Sequence, residues 1–286
     1  MIARVLSLSL ERTWIDLSRM IRSWRFWVAY VAIPLAFVIC TGFVATGDTD
    51  FARMYLAFGL VLWTALPALV AASVEVISDR SSGTLVRLRG LPYGTAICFI
   101  GRIVLLLVIS LVGWAVFLVV TAIIAPEILP HDTPHWGILV CALVAEFVML
   151  IPLGLLLGAL VPLTKKAVLL LRFGLGVLLL IFGAAPVLVS EVPEWLRLII
   201  DLLPIPLSEL EVFAALTSEA LGEWPIVLPV LLVWFVVFVI AAVPAMRAMI
   251  RRQSGAALAR QRERVLAARE RRANRRRRPT APAEPV

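Results

Sequence analysis

Six long apolar stretches constrain this sequence more than any other feature: Phe26–Gly47, Met54–Val74, Ile103–Ala125, Trp136–Pro162, Val168–Val189 and Pro225–Met246. A helix needs about 20 apolar residues to cross a bilayer. Inside hydrocarbon the backbone must satisfy its own hydrogen bonds, so uninterrupted runs of this length select helices. The expected fold is therefore all-α: a polytopic membrane protein with six transmembrane helices. Hydrophobic residues make up 62% of the chain and charged residues 16%. An ordinary soluble domain has about 45–50% and about 25%, and a disordered chain lacks such apolar content. The third span extends inward to Thr95 past Arg102. Five spans carry a proline: Pro34, Pro67, Pro152, Pro186 and Pro244. Cys40, Cys98 and Cys141 all lie in apolar runs and read as packing residues rather than a disulfide framework. No internal repeat is visible. No cleavable signal peptide is expected, because the first 25 residues are too charged for an apolar signal core.

The net charge of +8 is unevenly spread. Segments 1–25, 75–102, 163–172 and 247–286 are basic, and the last holds thirteen Arg against three Glu. Segments 46–53, 126–135 and 190–224 are acidic. Basic and acidic connections alternate across six spans, so the Lys/Arg bias places both termini in the cytoplasm of an inner, cytoplasmic membrane.

Three parts follow: an interfacial helix over 1–25, a six-span membrane domain over 26–248, and a basic tail over 249–286. In the first part Leu6, Leu10, Trp14, Leu17, Ile21 and Trp24 recur at steps of three and four. Ser7, Glu11, Ser18, Arg22 and Arg25 fall on the other side. Such a helix lies flat in the membrane interface. It is either a plain anchor or a docking surface for a cytoplasmic partner. The loop from Glu75 to Gly94 is also patterned. Leu85, Leu88 and Leu91 sit three apart with Arg87 and Arg89 between them, which suits one or two amphipathic turns. Gly83 permits a sharp bend before them, and Pro92 with Gly94 ends them. The segment Trp195–Leu203, bounded by Pro193 and Pro204, reads as a short helix in the outer interface, either a lid or part of a gate. The tail reads as a helix over Arg251–Arg278, followed by a disordered Pro279–Val286, that attracts anionic lipid or else contacts a cytoplasmic partner. Its arginines lack stacking aromatics, so nucleic acid is not an expected partner.

The order Glu75, Arg80, Gly83-Thr84-Leu85, Leu88, Leu91-Pro92 resembles the first cytoplasmic loop of the ABC type-2 permease family. The resemblance covers about residues 4–250. It takes in the helix before span 1, Gly154 and Gly158 in span 4, and Val192-Pro193-Glu194-Trp195-Leu196 with Leu203-Pro204. It implies a dimer, with a second copy or a related permease, bound to two ATP-binding cassette subunits that hold ATP and Mg. It implies that Glu75, Asp79, Arg80, Gly83, Leu85, Arg87, Leu88, Arg89 and Pro92 couple to those subunits. It likewise makes Glu11, Arg12, Arg19 and Arg22 the docking side of the first helix. The chain has no Gly-x-x-x-x-Gly-Lys-Ser/Thr stretch to cradle a phosphate, so an ATPase would be a separate polypeptide. No cofactor, metal or catalytic residue is expected in this chain.

Glu146 is the one carboxylate deep in a span, where such groups are costly and mark a pathway or a partner. It is either a hydrogen-bonded packing residue or a contact for a cationic substrate or a proton. Trp63 and Phe147 are candidates to line a substrate path, though span aromatics are packing residues by default. His131 and His135 stand four apart, but Pro130 and Pro134 argue for a surface loop. Gly154 and Gly158 permit close helix approach, more readily within one chain than between copies. The function that accommodates these features is export of an amphipathic or lipidic substrate (a drug, peptide, lipid or lipid-linked glycan). The alternative is an ATP-independent, proton- or ion-coupled carrier using Glu146, though carriers usually show more ionisable residues and repeated halves. An intramembrane enzyme is disfavoured, because no span carries a cluster of catalytic or metal-ligating groups.

Overall fold

A computed structural model describes residues 2–45, 48–88, 93–130, 133–183, 193, 195, 202–217, 224–252, 263 and 266. Among the described residues there is helix and no strand. The helices are α1 (Ile2–Ile21), α2 (Trp24–Trp27), α3 (Ile33–Ala45), α4 (Thr49–Ala65), α5 (Ala72–Ser82), α6 (Thr84–Leu88), α7 (Gly94–Ile124), α8 (Thr133–Leu160), α9 (Lys165–Gly183), α10 (Pro204–Thr217) and α11 (Trp224–Arg252). Single π-helical stretches, Val28–Ala32 and Leu66–Ala71, join α2 to α3 and α4 to α5. The first lies just before Pro34 and the second contains Pro67. A proline removes one amide donor and crowds the preceding turn, and widening that turn relieves both. Pro152 in α8 and Pro244 in α11 are instead held within α-helix.

Among the described residues, four helical segments are long and apolar enough to cross a membrane: Thr49–Ser82, Gly94–Ile124, Thr133–Leu160 and Val227–Arg251. They match the expected second, third, fourth and sixth spans. The first expected span falls on the shorter apolar helix Val28–Cys40 and its continuation to Ala45. The fifth begins as α9, and the rest of it, with Pro186, lies outside the described residues.

The long helix α8 is central, packing against α4, α5, α10 and α11. Gly154 and Gly158 explain how α5 and the π-helical turn before it come so close. A Cβ on Gly154 would collide with the Ala68 carbonyl, and one on Gly158 would sit 2.6 Å from that of Ser73. Both glycines therefore serve packing within one chain. On the other side of α4, Phe37, Tyr55, Trp63 and Phe117 interlock. The Phe37 and Tyr55 rings are stacked at 4.3 Å, and Trp63 and Phe117 lie 5.6 Å apart.

Two elements depart from the sequence reading. Residues 204–217, expected among short outer helices in the acidic segment after span 5, form α10, a helix that is instead buried against α4, α8 and α9. Its 14 residues span about 21 Å, short of the roughly 30 Å of a hydrocarbon core, so it does not cross a membrane. His135, expected in a surface loop, is buried in the first turn of α8. Pro134 does not prevent this, because a proline in a first helical turn gives up no intrahelical bond. The expected helix over Trp195–Leu203 lies largely outside the described residues, as does nearly all of the basic tail.

Candidate functional site

The charged loop and the N-terminal helix meet at one end of the bundle. α1 lies along the start of α7. Its docking face is centred on the buried Ser9 and Thr13, with Leu17 and Met20 packing on the core beside them, while most of the Leu/Trp stripe faces away. Thr13 Oγ1 donates to the Gly101 carbonyl at 2.8 Å, and Ser9 Oγ to that of Ile97 at 3.3 Å. Gly101 makes this possible, since a Cβ there would lie 2.9 Å from the Ser9 carbonyl. Leu6, Leu10, Trp14, Ile21 and Trp24 stay exposed, as an interfacial helix requires.

This docking carries Asp16 to Arg102. The Arg102 guanidinium lies 3.0 Å from Glu75, 3.4 Å from Asp79 and 3.8 Å from Asp16. One cation thus gathers carboxylates from α1 and from two turns of α5 onto α7. Arg12 stands 3.8 Å from Asp16 and extends the network. The Cys98 thiol donates to Asp79 at 3.7 Å. Arg102, rather than the nearby Arg80, is the cation that Glu75 meets.

Arg80 has a different task. Its Nη1 donates to the carbonyls of Gly158 at 2.7 Å and Val161 at 2.6 Å. Gly158 is in the last turn of α8 and Val161 directly follows the helix; carbonyls at this end have no intrahelical donors and carry the negative end of the helix dipole. The cation therefore caps α8 and ties it to α5.

Gly83 ends α5 in the left-handed conformation, with φ 75° and ψ 15°. Glycine alone adopts this without cost, and α6 then departs in a new direction. Leu85 turns inward and is buried with Val76, Ala159 and Met249, so α6 is seated against α5, α8 and α11. Arg87 is exposed and Leu88 half-buried. Arg89 and Pro92 lie outside the described residues. Of the first-helix candidates, Glu11, Arg19 and Arg22 are exposed, while Arg12 is drawn toward the network.

The three substrate-path candidates do not come together. Trp63 belongs to the aromatic cluster beside α7. Phe147 is buried and borders an apolar groove between α7, α8 and α11. Glu146 is fully buried, on the α10 side of α8, near enough to Glu209 for the two charges to interact. Neither carboxylate has a hydrogen-bond partner among the described residues. No group of three or more His, Cys, Asp or Glu suited to a metal occurs among them either. Sequence reading missed Asp16, Ser9, Thr13 and Glu209. Arg102 was visible only as a charge interrupting an apolar run.

Long apolar helices, with a charged loop seated against α1, define a helical protein of the multi-pass membrane class. The pattern of the ABC-2 type transporter family matches residues 6–207 of the 286, and the chain belongs to that family. It is the permease type of subunit, a multi-pass membrane protein, and the family normally works with ATPase subunits. No curated protein matches the chain closely enough to count as a relative.

Proposed function

We propose that the chain is the permease of an ATP-driven exporter. It works as a dimer, with a second copy or a related permease, on two ATP-binding cassette subunits that supply ATP and Mg. Its substrate is amphipathic or lipidic. The alternating loop charge supports six spans with both termini in the cytoplasm of an inner membrane.

The observation that carries this reading is the convergence of α1, α5, α7 and α8 on the Glu75–Gly94 loop, through Arg102 and Arg80. A partner pushing on α6 and the exposed side of α1 acts on seated elements, so the load reaches three spans together. This chain then does no covalent chemistry. It holds two arrangements of its spans whose populations the partner's nucleotide state biases. Buried Glu146 and Glu209 favour a second reading, a carrier coupled to protons or ions.

Purification of the tagged chain in mild detergent, followed by assay of vanadate-sensitive ATP hydrolysis, separates the two. An ABC-type ATPase recovered with the chain and stimulated by substrate supports the exporter. Substrate movement in vesicles that follows a proton gradient and ignores ATP overturns it.

A further inference from the structure

A groove of about 460 Å³ runs between α7, α8 and α11. It is large enough for a small-molecule ligand, since such sites occupy about 300–1,000 Å³. Its walls are apolar, from Phe147 and Phe235 at one end to Phe99, Leu155 and Met246 at the other. Among the described residues Arg247 is the one charged residue lining it. Along α11 the distance from Phe235 to Arg247 is about 18 Å at 1.5 Å per residue. One leaflet's share of a roughly 30 Å hydrocarbon core is about 15 Å. The groove therefore has the length of a single leaflet, and its cationic end coincides with the end of a span.

A second hollow of about 400 Å³ adjoins it, sharing Val243 and Arg247 and adding Arg251. Arg247 and Arg251 are one helical turn apart and both exposed. Among the described residues no carboxylate lines either space, and neither arginine forms an ion pair. A pair of guanidinium groups presents donors in the forked geometry that phosphate oxygens accept. Hydrocarbon walls of one-leaflet length below such a pair match one chemistry, an acyl chain under an anionic phosphate.

We infer that the groove between α7, α8 and α11 is a binding site for one anionic phospholipid, its acyl chain along Phe235–Met246 and its phosphate on Arg247 and Arg251. This site is distinct from general attraction of lipid to the basic tail, because it requires the groove and two particular arginines. Phe99, Leu155, Met246 and Ile250 line the groove and also pack on the cluster that holds Leu85. Bound lipid would therefore brace the seat of α6.

The test uses the full-length chain, delipidated in detergent and given equal amounts of phosphatidylglycerol and phosphatidylcholine. Bound lipid is counted by native mass spectrometry, a readout that does not depend on transport or on an ATPase. Wild type should retain one phosphatidylglycerol in preference to phosphatidylcholine. The double variant Arg247→Gln/Arg251→Gln changes exposed side chains only and should weaken that retention about thirty-fold, the equivalent of about 1 kcal/mol for each basic residue. Ala242→Phe should block the groove while leaving the charges. Removal of residues 260–286 should leave retention unchanged. Equal retention of the two lipids, undiminished binding by the double variant, or loss on tail removal alone would each overturn the site. So would displacement of the lipid by millimolar inorganic phosphate, which would reveal a site for a free anion. Conversion of a dimer to a monomer by Ala242→Phe would identify the groove as a seam between copies instead.

Discussion

Arg102 stands 3.0 Å from Glu75, joining α7 to the first turn of α5 across the bend and α6 that separate them in the chain. The same guanidinium also meets Asp79 and Asp16, so three carboxylates depend on one cation and its weaker neighbour Arg12. Most of the Arg102 side chain is withdrawn from solvent, with 14% exposed, whereas Glu75 keeps 33%. The network is therefore partly buried, and its loss is costlier than that of a surface pair.

Arg102→Gln should destabilise the purified chain by about 2–3 kcal/mol. A wholly buried pair broken on one side costs about 3–5 kcal/mol, and the access kept by Glu75 lowers that figure. Arg102→Lys should recover only part of the loss, since an ammonium cannot reproduce the forked contacts. Asp50, 71% exposed in its pair with Arg53, provides the comparison: Asp50→Asn should cost less than about 1 kcal/mol. Thermal unfolding in detergent reads all three, and equal losses for Arg102→Gln and Asp50→Asn would show that Arg102 holds nothing together.

Glycines in apolar helices should divide by what surrounds them. Gly158→Ala places a methyl 2.6 Å from the Ser73 carbonyl and 2.7 Å from the Val76 Cβ, contacts that only a backbone shift relieves. It should cost about 1–3 kcal/mol, as overpacking does. At Gly174 in α9 a Cβ would meet nothing within 4 Å among the described residues. Gly174→Ala should be neutral or stabilising by about 0.5–1 kcal/mol through reduced chain entropy. Equal destabilisation by the two would mean that α9 is covered by something other than lipid.

The buried helix α10 should impose a pH dependence. Burial pushes the Glu209 carboxyl up from 4.5 to about 9. Between those values the folded chain keeps a proton that the unfolded chain has released, so stability declines as pH rises through the window. Glu146 and Glu211 are the other carboxylates buried nearby. Glu209→Gln removes one titration and should flatten the fall in Tm between pH 5 and pH 8.5. Parallel profiles for wild type and variant would place the titration elsewhere.

Cysteines introduced one at a time at Thr49, Thr133 and Thr217, in a background without Cys40, Cys98 and Cys141, should react with an impermeant reagent in intact cells. Those at Ser82 and Ser254 should not. Reaction at Ser82 from outside would overturn the six-span arrangement with cytoplasmic termini.

The long spans were legible because hydrocarbon thickness sets a length that residues can be counted against. The bend at Gly83 was legible because a glycine before an amphipathic turn has few other uses. The Arg102 network was not. Asp16, Glu75 and Arg102 are far apart in sequence; packing of α5 on α7 brings Glu75 to Arg102, and docking of α1 through Ser9, Thr13 and Gly101 brings Asp16. Periodicity cannot say which of three helix faces a neighbour will cover. α10 escaped because its carboxylates, Glu209 and Glu211, counted toward an acidic outer loop. Packing on α8 and α4 buried them nonetheless.

The bend at Gly83 gives the sharpest test of the coupling reading. With φ at 75°, a β-branched residue there meets the clash that excludes L-residues from the left-handed region, about 1–2 kcal/mol. Gly83→Val should therefore shift or fray α6 and loosen Leu85 from Val76, Ala159 and Met249. The cap that Arg80 places on α8 and the Arg102 network lie on the α5 side of the bend, so the spans themselves should still assemble. Glu75→Ala acts on the other half of the arrangement, releasing Arg102 from its closest partner while α6 keeps its seat. Coupling between sites amounts to about 1–3 kcal/mol, enough to lower a coupled rate five-fold or more. Both variants should insert and purify as wild type does, yet lose substrate-stimulated ATP hydrolysis in the assembled transporter. Basal hydrolysis by the partner alone should not change. Wild-type stimulation in both would show that the load does not pass through this loop, and α1 would become the element to test next.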